Sequence, residues 1–118
     1  MSDNNVICHT TLASKRKDME NRGGSINWLI DLFLEELPNY LGDLQKAITA
    51  GDGEAIHLAA HKFKGSSSNL GAVGIMAICK QLEQLGSAGN IEQAALLMSN
   101  QMDKEIERLK EALMQLRK

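Results

Sequence analysis

The chain reads as an all-α protein, an antiparallel up-down-up-down bundle of four helices. Three observations carry that expectation. Apolar residues recur at helical spacing through four segments, and none of them alternates apolar and polar residues as a strand does. Aromatic residues make up only 3% of the 118 residues, few for a β-rich domain. Gly-rich punctuation separates the segments by short connections, which make successive helices antiparallel neighbours.

The chain begins with a polar extension, residues 1–24, which ends in Arg22-Gly23-Gly24. It has room for a short helix within Thr10–Asn21 that packs on the bundle. The bundle itself is expected over residues 25–118. Its first helix runs from about Ser25 to Ala50, with Ile26, Leu29, Ile30, Phe33, Leu37, Tyr40, Leu41, Leu44 and Ile48 on one stripe. Pro38 lies inside that stripe. It removes one backbone donor and should kink the helix, yet the stripe continues on both sides, so the helix survives.

Asp52 follows Gly51 and is placed to cap the second helix, which ends near Asn69 at Leu70-Gly71-Ala72. The third helix spans about Val73–Leu85, with Ile75, Ile78, Cys79, Leu82 and Leu85 inward. Gly86-Ser87-Ala88-Gly89 is expected to close it. Asn90 and Gln93 have the spacing of a capping box for the fourth helix. That helix carries Ile91, Ala94, Ala95, Met98, Met102, Ile106, Leu109, Leu113 and Leu116 on one stripe.

Composition excludes several function classes. Thirteen Lys+Arg against fifteen Asp+Glu give a net charge of -2, so no basic field awaits nucleic acid. No apolar run approaches the roughly 18–20 residues that span a bilayer, so no membrane partner is expected. Cys8 and Cys79 form neither a disulfide framework nor a CxxC metal site, which suits a reducing, cytoplasmic compartment. No GxxxxGK[ST] or GxGxxG loop occurs, so neither ATP binding nor autophosphorylation is expected.

The second helix holds the unusual residues. On a wheel of about 100° per residue, Ile56, Ala59, Ala60, Phe63, Ser66, Ser67 and Leu70 share the core arc. Ser67 is expected to pack there with its hydroxyl on the carbonyl four residues back. Glu54, His57, His61, Lys64, Gly65 and Ser68 share the opposite stripe, and Leu58 sits at its edge. An exposed His or Lys is ordinarily surface solvation. Gly65 is harder to set aside, because a mid-helix Gly costs about 1 kcal/mol relative to Ala. Its missing side chain clears the surface one turn from His61. An imidazole nucleophile, a cation three residues on and a cleared surface together suit an anionic group such as a phosphoryl. Ser68 could donate a further hydrogen bond.

The run AAHKFKGSSSNLGA, residues 59–72, resembles the signature of histidine-containing phosphotransfer (HPt) domains. Ala60, His61, Lys64, Gly65, Ser66, Ser67, Leu70 and Gly71 carry the likeness. The acidic-apolar helix with internal Pro before it (LFLEELPNYL) and the Leu82–Gly86 helix end after it extend the likeness to about residues 25–118.

The resemblance implies a phosphorelay intermediate of two-component signalling. His61 would accept a phosphoryl group from a receiver-domain aspartyl phosphate and pass it to another receiver. Lys64 would stabilise the added charge, and Gly65 would admit the receiver's active site. Glu83 falls where the family often has a Gln that orients the imidazole. A carboxylate there could fix the tautomer, but would repel a phosphoryl group that came too close. The partners implied are receiver domains and a hybrid sensor kinase. Mg²⁺ is expected on the receiver and no cofactor on the domain, and a monomer suffices. Leu58, Trp28 and Leu32 are candidate docking residues, and Trp28 could equally pack on the N-terminal extension. His57 is expected to point outward and tune charge near His61.

Two other readings stay open. A docking-only bundle would regulate a receiver or kinase without phosphotransfer. A helical metal site could use His57 and His61, spaced i, i+4, but the chain offers no evident third ligand.

Overall fold

Ile26, Ile30, Phe33, Leu37, Leu44 and Ala47 recur every three or four residues, and all are buried along α1, Ile26–Thr49. The computed structural model describes residues 26–116, together with Ala13 and Lys17 of the segment before them. The short helix expected within residues 10–21 otherwise lies outside the described residues. α1 runs without interruption through Pro38. Burial of the stripe on both sides offsets the lost backbone bond.

Three further helices complete the bundle. α2 covers Gly53–Asn69 and α3 covers Val73–Ser87. α4 begins as Ile91–Leu97, passes through a π-helical segment at Met98–Met102 and continues over Asp103–Leu116. No strand occurs among the described residues, and none of their helices is long and apolar enough to cross a membrane. The architecture is the all-α four-helix bundle that the stripes predict.

The caps divide. Asp52 accepts a hydrogen bond from Ala55 N at 3.1 Å, as an N-cap should. Asn90 makes no side-chain cap bond, so the expected box with Gln93 is not formed. Its backbone, at φ -90° and ψ 72°, is outside the extended region from which an N-cap side chain reaches the helix donors. Gly51, Gly71 and Gly89 close the first three helices with φ of 66°, 67° and 73°, a conformation that only Gly adopts at little cost.

The π segment has a cause in the apolar spacing. Ala94, Met98, Met102 and Ile106 advance by four residues three times in succession. Each such step overshoots an α-helical turn by about 40°, so the stripe would wind off the core by about 120°. A π turn takes in an extra residue and resets the rotation. Met98, Met102 and Ile106 are buried in consequence.

Two of the four aromatic residues, Phe33 and Phe63, are in the core, and a third, Tyr40, packs against it half-buried. Tyr40 stacks on Phe63 with centroids 5.1 Å apart, and the Phe33 and Phe63 centroids are 6.3 Å apart. Tyr40 Oη and Ser66 Oγ are hydrogen-bonded at 2.5 Å, which ties α1 to α2.

Candidate functional site

The wheel of α2 explains how its outward stripe is divided. Ser66 lies on the side that meets α1. His57, His61 and Lys64 lie at about 100–160° from Phe63, the side turned toward α3. α2 and α3 have the most extensive interface in the bundle. At its end the two backbones come very close. A Cβ on Gly53 would lie 2.4 Å from Gly86 O, and one on Gly86 would lie 2.5 Å from Gly53 O and 2.8 Å from His57 N. The run Gly86-Ser87-Ala88-Gly89 closes α3 as expected, with Ala88 as the C-cap and Gly89 at positive φ, but Gly86 itself has another role. It is a buried residue inside the helix, and it has no side chain because another backbone occupies the space.

Beyond this crossing, one side chain of α3 reaches two of α2. Glu83 is mostly buried, with 13% of its side chain exposed. Its Oε1 lies 2.6 Å from Lys64 Nζ, and its Oε2 lies 3.5 Å from His61 Nδ1. Burial pushes the Glu83 carboxyl up. The Lys64 ammonium and the contact with His61 outweigh that and hold it below the ordinary glutamate value. The site thus contains a carboxylate neutralised by its own lysine.

His61 itself is open to solvent, with 67% of its side chain exposed. A carboxylate facing Nδ1 favours the proton on that nitrogen. Nε2 is then the nitrogen with a free lone pair. A Cβ built on Gly65, one turn away, would meet nothing within 4 Å. The surface beside the imidazole is clear, and no packing contact within the bundle calls for the glycine.

The remaining candidates separate. Ser68 donates its hydroxyl to Gly65 O at 2.7 Å, so its proton is already engaged within its own helix. Ser67 is buried as expected, but its hydroxyl has no partner and does not reach the carbonyl four residues back. It serves as a small packing residue. His57 does not point outward. It is half-buried, with Nδ1 3.1 Å from Glu83 O and 3.0 Å from Ser87 Oγ. The His57 and His61 rings are nearly parallel, 6° apart in plane, with centroids 6.3 Å apart. No group of three or more His, Cys, Asp or Glu side chains suited to a metal occurs among the described residues.

Trp28, Leu32 and Leu58 are all exposed. Leu32 lines a groove of about 180 Å³ with Phe33, Tyr40, Ser66 and Asn69. Leu58 lines a separate, shallow depression between the end of α1 and the start of α2. The two surfaces flank α2 on its α1 side, and Trp28 borders neither. Beneath the site, Cys79 is a free, buried thiol pushed up to about 12 by burial and by Glu83, so it is inert as a nucleophile.

Sequence reasoning missed the roles of Gly53, Gly86, Ser87 and the His57 ring. A signal existed for the two glycines. Gly53 continues the stripe Ile56, Ala60, Phe63, Ser67, and Gly86 continues Ile75, Cys79, Leu82, at the same three- and four-residue steps.

Residues 29–116 match the Hpt domain family. Among solved structures, the chain is similar to histidine-containing phosphotransfer protein B (HptB) from Pseudomonas aeruginosa PAO1. The identity is 34% and the TM-score 0.86, with 98% of this chain and 96% of that chain covered. No curated protein matches the chain.

Proposed function

The chain belongs to the Hpt domain family, and from that premise we propose that it carries a phosphoryl group on Nε2 of His61 between receiver domains. Membership and the likeness to HptB support a histidine phosphotransfer protein of two-component signalling. The observation that carries the residue assignment is the Glu83 carboxylate, which faces His61 Nδ1 while Lys64 neutralises it.

The chemistry follows from that arrangement. Nδ1 keeps its proton against Glu83, and the Nε2 lone pair attacks the phosphorus of an aspartyl phosphate on the partner. The N–P bond forms as the P–O bond to the aspartyl carboxylate breaks, and that carboxylate leaves. The phosphorylated ring gains positive character, which Glu83 offsets. The contact at 3.5 Å is long, as hydrogen bonds at such sites often are before the partner binds. Lys64 offsets the carboxylate that would otherwise repel the phosphoryl group. Gly65 leaves room for the receiver's loops, and Leu32, Leu58 and Trp28 offer apolar docking surface. The receiver brings Mg²⁺ and most of the charge stabilisation. A monomer is sufficient for this cycle.

The test is phosphoryl transfer from a phosphorylated receiver domain with Mg²⁺, comparing the wild type with His61→Gln. Acid-labile, base-stable label on the wild type alone is the expected result. Label on neither protein across a panel of receivers would favour a docking-only bundle. An acid-stable product would move the acceptor to a hydroxyl.

A further inference from the structure

We infer that His57 is a positioning residue for the His61 site: it ties the backbone of Glu83 to α2, so that the Glu83 carboxylate reaches His61 and Lys64 together. The inference rests on the phosphoacceptor reading of His61 and adds a residue to it.

The bonding of the ring fixes its tautomer. A backbone carbonyl can only accept, so a hydrogen bond between Nδ1 and Glu83 O, 3.1 Å apart, requires the proton on Nδ1. Ser87 Oγ, at 3.0 Å, then accepts from the same N–H. One ring from α2 therefore holds two points on the last turns of α3. One of those points is the backbone of the residue whose side chain faces His61.

The location gives the bond its leverage. Gly53 and Gly86 bring the two backbones together within one turn of His57 and Glu83, and His57 N is itself one of the atoms a Cβ on Gly86 would strike. The Glu83 carboxylate stands at the end of a flexible side chain. Its distance from His61 depends on where its own Cα sits relative to α2. The glycine crossing limits how far apart the helices lie. The His57 bond fixes how they are registered along each other. Slippage of α3 would carry Oε2 away from His61 Nδ1, which is already 3.5 Å distant. His61 would then be free to place its proton on Nε2, the atom that must attack. A residue that orients another group in this way is a supporting contact of the kind whose loss costs about tenfold.

The experiment reads ring-nitrogen NMR shifts of His57 and His61 near neutral pH, alongside transfer rates. In the wild type, His57 should be the Nδ1–H tautomer; an Nε2–H ring at His57 would overturn the inference without any variant. His57→Leu keeps bulk but removes the donor. It should raise the Nε2–H fraction of His61 and slow transfer about tenfold. His57→Asn can place an N–H near the position of Nδ1 and should restore both. Unchanged His61 shifts in a folded His57→Leu protein, or an Asn variant that behaves like Leu, would show that packing alone sets the register. The shifts are measured without a receiver, so they test the inference even if the wild type proves unable to accept a phosphoryl group.

Discussion

Lys64 Nζ stands 2.6 Å from Oε1 of Glu83, on the side of the carboxylate away from His61. The lysine therefore has two tasks. In the proposed cycle it cancels the charge of the carboxylate that faces the imidazole, and it offers a cation to a phosphoryl group on Nε2. Lys64→Ala leaves Glu83 uncompensated beside the incoming anion. A charge-assisted contact of this kind is worth about 1.5 kcal/mol, so transfer should slow about tenfold. Rapid-quench transfer assays check this, and an unchanged rate and phosphohistidine lifetime would remove Lys64 from the site.

Glu83 can be divided into its two functions. Glu83→Gln keeps an oxygen able to accept from His61 Nδ1 but gives up the ion pair. Glu83→Ala gives up both. The glutamine variant should transfer within about threefold of wild type, while the alanine variant falls about tenfold or more, as when a supporting partner of a functional histidine is lost. Equal losses in the two would mean that charge, not orientation, is what Glu83 supplies.

The same residue gives the fold a pH dependence. Burial alone would raise the Glu83 carboxyl, but Lys64 and His61 hold it below its ordinary value of 4.5. A depressed folded pKa means that the unfolded chain takes up this proton first as the pH drops. The stability Glu83 contributes is therefore complete above the unfolded value and is lost as the pH falls through the lowered folded one. In urea denaturation, the gap between wild type and Glu83→Gln should hold from pH 7 to about 5 and shrink below that. A gap that widens in acid would mean that the carboxyl is raised, not lowered.

Gly65 separates stability from function. Its φ is not positive and a Cβ there would meet nothing within 4 Å, so the fold gains nothing from the glycine. Gly65→Gln should stabilise α2 by about 0.5–1 kcal/mol and raise the melting temperature by about 2–6 °C. Transfer should be blocked, because the new side chain fills the space beside His61. A stabilised protein with normal transfer would mean that the receiver does not approach over this face.

The helices and the His61–Lys64–Gly65 stripe were legible because they depend on one-dimensional spacing. Phe63 sets the core face of α2, and the stripe follows by rotation. The division of that stripe was not legible, since it depends on where α3 lies. The wheel of α2 turns His57 outward because one helix alone does not show the Glu83 carbonyl of another. Spacing alone leaves Ser68 available as a donor, because its bond to Gly65 O is a local alternative that spacing does not decide. The π segment was written in three consecutive four-residue steps, but only as an excess rotation that an ideal wheel absorbs without notice.

Gly86 gives the sharpest test of the α2–α3 crossing. In an open helix, Gly→Ala is stabilising by about 0.5–1 kcal/mol. Here the added carbon would lie 2.5 Å from Gly53 O and 2.8 Å from His57 N, and both are backbone atoms held in regular structure. Neither can swing aside as a side-chain tip would. The helices must separate, at an overpacking cost of about 1–3 kcal/mol that outweighs the helix gain. Gly86→Ala should therefore lower the urea midpoint. Gly42→Ala is the control: that residue lies inside exposed α1 surface with nothing within 4 Å of a Cβ, so the same substitution should raise the midpoint. Separation at Gly86 also strains the bond from His57 to Glu83 O, so Gly86→Ala should slow transfer as well as lower stability. If both alanines stabilise the protein equally, the helices do not meet backbone to backbone, and the register argued for Glu83 loses its support.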